Sequence, residues 1–239
     1  DDDGKPVSQT YLKTVNNQLS AIMNYAVSHY RLPVNPCRAA GSMGKSKADE
    51  MNIWTQKEYE RFSNAISKSS MKLAFDILFY TGIRSGELLA LTPADILSSK
   101  RIDINKNYAK IKGEELFLEP KTPKAKRCIS IPDFLYDDIQ EYISKLYGIG
   151  NGDRIFYFQK TALEKEMKRV SERIGLKPIR VHDLRHSHAS MLIELGFTPL
   201  EIAERLGHES IKTTLDTYSH LYPDKDQKLA DRLNQFRKN

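Results

Sequence analysis

The sequence predicts a mostly helical domain with one small antiparallel β-sheet, preceded by part of a second, smaller helical domain. Three observations carry this. Apolar residues recur at three- and four-residue steps through most of the chain, they switch to alternation only over 101–131, and a small polar stretch at 41–50 divides the chain. With 239 residues, 40% hydrophobic and 28% charged, the chain can bury one sizeable core, or the core of a large domain plus a small one.

Leu12, Val15, Leu19, Ile22 and Ala26 mark an amphipathic helix over 8–30, ended by Leu-Pro-Val-Asn-Pro because proline cannot continue a helix. One helix cannot bury its own apolar stripe, so residues 1–40 read as the end of a small helical domain. Residues 41–50, Gly-Ser-Met-Gly-Lys-Ser-Lys-Ala-Asp-Glu, read as an interdomain linker. Thr55-Gln-Lys-Glu58 is a capping box that opens a helix. A more apolar helix follows from about 70 to Tyr80, is broken at Thr81-Gly82, and gives way to another at Arg84. The pairs Ile102/Ile104, Leu116/Leu118 and Ile129/Ile131 predict a three-stranded antiparallel sheet, with Lys121 to Arg127 as the tip between its second and third strands. Helices resume at 133–147, at 161–173 behind the box Thr161-x-x-Glu164, and at 183–195 before Gly196. Another spans 199–206 between Thr198-Pro199 and Gly207, and the last two cover 210–220 and 225–236. The large domain is thus expected over 51–222, with a tail at 223–239.

The chain holds 37 Lys and Arg against 31 acids, a net charge of +6 that favours a polyanionic partner without requiring one. Cys37 and Cys128 form neither a disulfide framework nor metal-ligand spacing. No signal peptide and no apolar run of about 18 residues is present, which reads as a soluble, intracellular protein with no membrane partner. The start, Asp-Asp-Asp-Gly, lacks a methionine and reads as a fragment of something longer.

His182 and Arg185 lie three apart at the start of one predicted helix, so a proton-transfer group and a cation face the same way. Arg84 follows a glycine-containing break near another helix N-terminus, where free backbone N–H groups favour anions. Two guanidiniums can hold phosphate oxygens bidentately, and Tyr218 on a later helix is a plausible nucleophile for a phosphodiester.

Thr-Gly-Ile-Arg84-Ser-Gly-Glu87, the basic hairpin at Lys121, His182-Asp-Leu-Arg185-His-Ser, Leu-Gly-His208 and Thr-Tyr218-Ser-His together resemble the tyrosine recombinases, or phage-type integrases. They are similar in particular to integrases of phages and conjugative transposons from Gram-positive bacteria. All six catalytic positions find the expected residue type in the expected order, over about 50–222, and residues 8–40 look like the end of the family's core-site-binding domain. The resemblance implies that Tyr218 attacks the scissile phosphate, forming a 3′-phosphotyrosyl link and freeing a 5′-hydroxyl. A phenol of pKa about 10 needs help to lose its proton, and His182 is similar to the family's candidate base. Arg84 and Arg185 would hold the non-bridging oxygens, Lys121 would protonate the leaving 5′-oxygen, and His208 would donate a hydrogen bond to the phosphate. Glu87 sits where the family has a buttressing acid. The resemblance implies no metal and no cofactor, since the arginines supply the charge stabilisation.

Lys121 is chosen over Lys124 and Lys126 because it directly follows the second strand, as the family lysine does. Tyr218 is chosen over Tyr222, whose Leu-Tyr-Pro-Asp context looks like a helix end, while His186, His188 and His220 read as packing or supporting residues. A metalloenzyme is disfavoured because His182 and His186 lack the glutamate of His-Glu-x-x-His. Residues 198–214 read much like a helix-turn-helix, so a non-catalytic DNA-binding protein is one rival and a type IB topoisomerase another. The resemblance further implies a C-shaped clamp around double-stranded attachment-site DNA, and a homo-tetramer on two sites exchanging strands through a Holliday junction. It also implies accessory excision and DNA-bending proteins, a cytoplasmic location at the bacterial nucleoid, and a tail at 223–239 docked on a neighbouring protomer, with packing on its own domain as the alternative.

Overall fold

A computed structural model of the chain describes residues 7–45, 52–120, 122–222 and 234. The chain divides into two compact units, Asp1–Met51 and Asn52–Asn239.

The first unit is built on α1 (Gln9–His29), whose N-cap Ser8 accepts from the Tyr11 amide at 3.2 Å. A short helix, α2 (Pro36–Ala40), is fixed by Asn35. Asn35 caps α2 by accepting from the Cys37 amide at 2.9 Å, and donates to the Ser20 carbonyl and Asn24 Oδ1 on α1 at 3.1 and 2.8 Å. The apolar stripe of α1 stays open in this unit, with Val15, Leu19 and Ile22 at 40%, 40% and 62% exposure. The expected linker at 41–50 begins as packed chain rather than a free tether. The Met43 amide donates to Asn16 Oδ1 and the Lys45 amide to the Gln9 carbonyl, both at 3.3 Å. The rest of that stretch lies outside the described residues.

The second unit centres on two helices that are buried nearly all round, α4 (Ser69–Thr81) and α8 (Asp183–Glu194). Between α1 and α4 in sequence, α3 (Gln56–Asn64) opens on the expected capping box, Thr55 with Glu58. Tyr59 of α3 stacks on Phe79 of α4 with centroids 3.8 Å apart, and its hydroxyl donates to the buried Asp76 at 2.5 Å. Trp54 ties the start of the unit to α8, its amide donating to Ser187 Oγ at 3.0 Å. Around this core lie α5 (Ser85–Ala90), α6 (Asp133–Ser144) and α7 (Lys160–Arg173). The box proposed at Thr161 and Glu164 does not form, because α7 starts earlier, behind Gln159, and Glu164 instead pairs with Lys160 at 3.3 Å. After α8, Gly196 turns the chain at φ 90°. The helix α9 (Pro199–Leu206) is opened by the Thr198–Glu201 box and closed by Gly207 at φ 68°, and Ser210 caps α10 (Ile211–Tyr218).

The strands depart from the expected single sheet. β1 (Ile96–Leu97), β2 (Arg101–Ile104) and β5 (Arg127–Ser130) form a three-stranded antiparallel sheet in the order β1-β2-β5, with Ile102 opposite both Ile96 and Ile129. The Leu116/Leu118 segment lies in β4 (Glu114–Leu118) and pairs with β3 (Asn107–Ile111) in a separate hairpin. The reason is local. Lys112 and Gly113 both adopt positive φ, 52° and 91°, the two-residue turn whose twist matches a right-handed hairpin, so 107–118 closes on itself. Both edges of β2 are already taken, by β1 and β5. The expected helix at 225–236 and the tail at 223–239 lie outside the described residues, Asn234 apart.

Gly82 and Gly148 share φ 68°, yet an added Cβ would meet nothing within 4 Å at Gly148. At Gly82 it would come within 2.6 Å of His188 Cδ2 and 2.7 Å of Leu206 Cδ2. Gly148→Ala should therefore cost only the left-handed backbone term, about 1–2 kcal/mol, while Gly82→Ala adds overpacking of roughly 1–3 kcal/mol. Denaturant midpoints at equal m-values measure both, and equal losses would contradict the packing argument.

Candidate active site

The site starts at the end of α4. Gly82 reverses the chain, so Arg84 becomes the N-cap residue of α5 with its side chain 40% exposed. The buried Glu87, three residues on, accepts from the Arg84 amide at 2.9 Å and pairs with Arg84 Nη1 at 2.7 Å. It also receives Arg127 Nη2 from β5 at 2.9 Å. Burial alone would raise the Glu87 carboxyl, but the contacts with Arg127 and Arg84 outweigh it and hold the group below its ordinary range. Arg127 also donates to the Arg205 carbonyl of α9 at 2.9 Å, so one carboxylate and one arginine link α5, β5 and α9.

Arg185 is 4% exposed on α8. Its guanidinium donates to the Gly82 carbonyl at 2.8 Å and to the Leu206 carbonyl at 2.6 Å. Gly82 caps α4 and Leu206 is the last residue of α9, so a buried cation sits on the negative ends of two helices. Burial, with Arg84 and Arg127 nearby, pulls its pKa down to about 9, and it stays cationic at neutral pH. His188 faces the other way and accepts from Arg205 Nε at 3.0 Å. It is part of the packing beneath Gly82, in keeping with its sequence reading.

The inner face of α10 supplies Thr214 and Tyr218, one turn apart and both buried. Thr214 Oγ1 is 2.7 Å from His208 Nδ1 and fixes that ring at the start of the α9–α10 turn. Burial, then Arg185 and Arg84, pushes the His208 pKa down to about 4 and keeps the ring neutral. Tyr218 is 1% exposed, and its hydroxyl lies 2.7 Å from His186 Nδ1. Burial raises the phenol to about 12 against the opposing pull of Arg185. His182 precedes α8 and remains exposed as a residue, with its ring meeting that of His186 edge-on at 5.2 Å. Partial desolvation of that ring, then Arg185, lowers its pKa. A cleft of about 470 Å³ opens beside Arg84 and His182, lined also by Ser85, Asn107, Lys110 and Lys160.

Arg84, Glu87, His182, Arg185, His208 and Tyr218 thus come together, coupled through hydrogen bonds or through each other's charges. Lys121 lies outside the described residues. Lys124 donates to the Glu209 carbonyl at 3.0 Å and Lys126 pairs with Glu119 at 3.4 Å. His220 is exposed, and Tyr222 follows a single 3₁₀ turn at Ser219–Leu221 rather than continuing α10. Sequence reasoning missed two residues. Arg127 appeared only as the end of a basic tip, although a charge at the start of an apolar strand was a signal that it faces inward. His186, read as a packing or supporting residue, is the group bonded to the Tyr218 hydroxyl. Its spacing of one turn from His182 was weighed only as a metal motif. Among the described residues, no three His, Cys, Asp or Glu side chains converge to hold a metal ion, and no helix is long and apolar enough to cross a membrane.

Residues 52–225 match the phage integrase family. The ICEBs1 integrase of Bacillus subtilis (strain 168) is 34% identical over 243 residues, covering 94% of this chain and 66% of the relative. A XerC-like tyrosine recombinase of Caldanaerobacter subterraneus subsp. tengcongensis is 25% identical over 262 residues, 96% of this chain and 67% of the relative. The integrase of Mycobacterium phage L5 is 26% identical over 235 residues, 93% of this chain and 62% of the relative. The chain therefore spans 62–67% of the length of these three proteins. In fold it is similar to the Tn1549 transposon integrase in complex with a circular intermediate DNA, at a TM-score of 0.83 and 21% identity over 97% of this chain and 81% of that one. It is also similar to a lambda integrase dimer bound to a COC′ core site, at a TM-score of 0.61 and 20% identity over 94% and 61%. With a tyrosine, three arginines and three histidines gathered at one site, the chain belongs to the phage integrase family of tyrosine recombinases.

Proposed function

We propose that the chain is a site-specific DNA recombinase that cuts and rejoins strands through a covalent link to Tyr218, integrating and excising a mobile element. The observation that carries this is the burial of the Tyr218 hydroxyl beside His186 and Arg185, with Arg84 open to the adjoining cleft. DNA as partner is supported by the net charge of +6, by Lys110 and Lys160 along that cleft, and by the DNA-bound state of the two similar structures.

In this reading the Tyr218 oxygen attacks phosphorus and the bond to the 5′-oxygen breaks, leaving a 3′-phosphotyrosyl link and a 5′-hydroxyl. Arg84 and Arg185 hold the non-bridging oxygens, and the second is preorganised because two helix ends already fix it. His208, its Nδ1 held by Thr214, would donate to the phosphate as the Nε2–H tautomer. Lys121 protonates the leaving oxygen. Glu87 and Arg127 keep Arg84 aimed. Strand exchange between two sites would use four copies of the chain and a Holliday junction, with accessory excision and bending proteins. The residues 1–40 would contribute to core-site binding. A groove of about 770 Å³ with Met191, Leu192, Leu195 and Phe197 among its lining would receive the tail of a neighbouring copy, whose Leu229, Leu233 and Phe236 recur at helical spacing.

Nicked duplex carrying an attachment site should yield SDS-stable protein–DNA adducts, and Tyr218→Phe should abolish them while leaving DNA binding intact. An adduct that survives in Tyr218→Phe sinks the assignment of the nucleophile. Supercoil relaxation without exchange between two sites would move the reading to a nicking-closing enzyme, and binding without any adduct to a non-catalytic DNA-binding protein. Arg84→Ala should slow adduct formation by about 10²–10³-fold in single-turnover assays, the cost of one preorganised donor to a developing charge. Deleting 224–239 should weaken tetramer formation on DNA in sedimentation experiments, and unchanged assembly and recombination would refute docking of the tail.

A further inference from the structure

We infer that His186, rather than His182, is the base that takes the Tyr218 proton during strand cleavage, an inference that rests on reading Tyr218 as the nucleophile. Among the described residues His186 is the side chain hydrogen-bonded to the Tyr218 oxygen, at 2.7 Å, a distance suited to direct proton transfer. Among the described residues the His182 ring meets the His186 ring, which in turn meets Tyr218, and His182 lines the cleft beside Arg84. The two histidines therefore divide the site, with His182 on the phosphate side and His186 on the nucleophile side.

The environment sets the charge state of both partners in the empty site. The charged and titratable groups that face His186 are His182, Asp183 and Arg185 of its own helix, Arg180 just before it, Tyr218 of α10, and His208 from the turn before α10. Burial, followed by His182, pushes the His186 pKa down to about 4, so at neutral pH the ring is uncharged, and its Nε2–H tautomer accepts the Tyr218 hydroxyl at Nδ1. With the phenol at about 12, the proton stays on the tyrosine while the site is empty, which keeps the nucleophile inert away from DNA. A phosphate on Arg84 and Arg185 would offset the positive charge that disfavours an imidazolium, and Asp183 adds a negative charge beside it. As the Tyr218 oxygen bonds to phosphorus its O–H bond breaks and the proton moves to His186 Nδ1. The bond to the 5′-oxygen breaks at the other side and that oxygen takes a proton from the general acid, read as Lys121. On rejoining, His186 returns its proton to the tyrosine.

The test uses the full chain and a nicked duplex recovered from the wild-type adduct. His186→Asn can still accept a hydrogen bond near the Nδ1 position, yet it cannot carry the proton. We expect both His186→Ala and His186→Asn to slow single-turnover adduct formation by about 10²–10³-fold, in the range of general-base catalysis, with DNA binding unchanged. A fluorinated tyrosine at position 218, whose phenol ionises more readily, should recover most of the loss in His186→Asn and little in His182→Asn. Near-wild-type cleavage by His186→Asn, a loss that the fluorinated tyrosine fails to rescue, or rescue confined to His182→Asn would each overturn the inference. None of these outcomes touches the nucleophile assignment, which fails separately if Tyr218→Phe still forms the adduct. If the wild type forms none, both fall together.

Discussion

The rest of the site depends on one buried cation. Arg185 is nearly sealed from solvent, and a lone charge there would be expensive to bury. The fold meets that cost with the carbonyls of Gly82 and Leu206, the exposed acceptors at the ends of α4 and α9. Two glycines make this possible. Gly82 and Gly207 take left-handed φ, so both helices stop where their last carbonyls point at the guanidinium. Arg185 is therefore held in place by the fold itself. The same reversal at Gly82 places Arg84 two residues later at the start of α5.

A second layer is carried by Glu87. It is shared by Arg84 and Arg127, and Arg127 also reaches the α9 backbone, so the strand following the basic tip is bolted to both α5 and α9. A shared buried carboxylate with two guanidiniums leaves Arg84 with free donors toward the cleft while its direction stays set. Opposite this cationic wall, α10 offers Thr214 and Tyr218 from one face, and each orients a histidine from a different segment. The helix that carries Tyr218 thereby also fixes the rings of His186 and His208.

Much of this was legible in the chain itself. Helix periodicity, the boxes at Thr55 and Thr198, and the glycine stops at Gly82, Gly196 and Gly207 are local signals whose physics operates within a few residues. They placed α1, α3, α4, α6, α8 and α9 to within a few residues. The box at Thr161 failed because sequence spacing cannot say which residue is already helical. Strand pairing was misread because alternation marks a strand without naming its partner, and the positive-φ turn at Lys112-Gly113 decided it.

What the sequence determined by itself was the set of candidate groups and their order: Arg84, Glu87, Lys121, His182, Arg185, His208 and Tyr218, each within a short motif. Only the tertiary structure decided which groups touch. The pairing of His186 with Tyr218 spans 32 residues, and that of Arg127 with Glu87 spans 40. Both arise from the packing of α8, α10, α5 and β5 against one another. Burial and proximity are properties of that packing, and they set the charge states at the site.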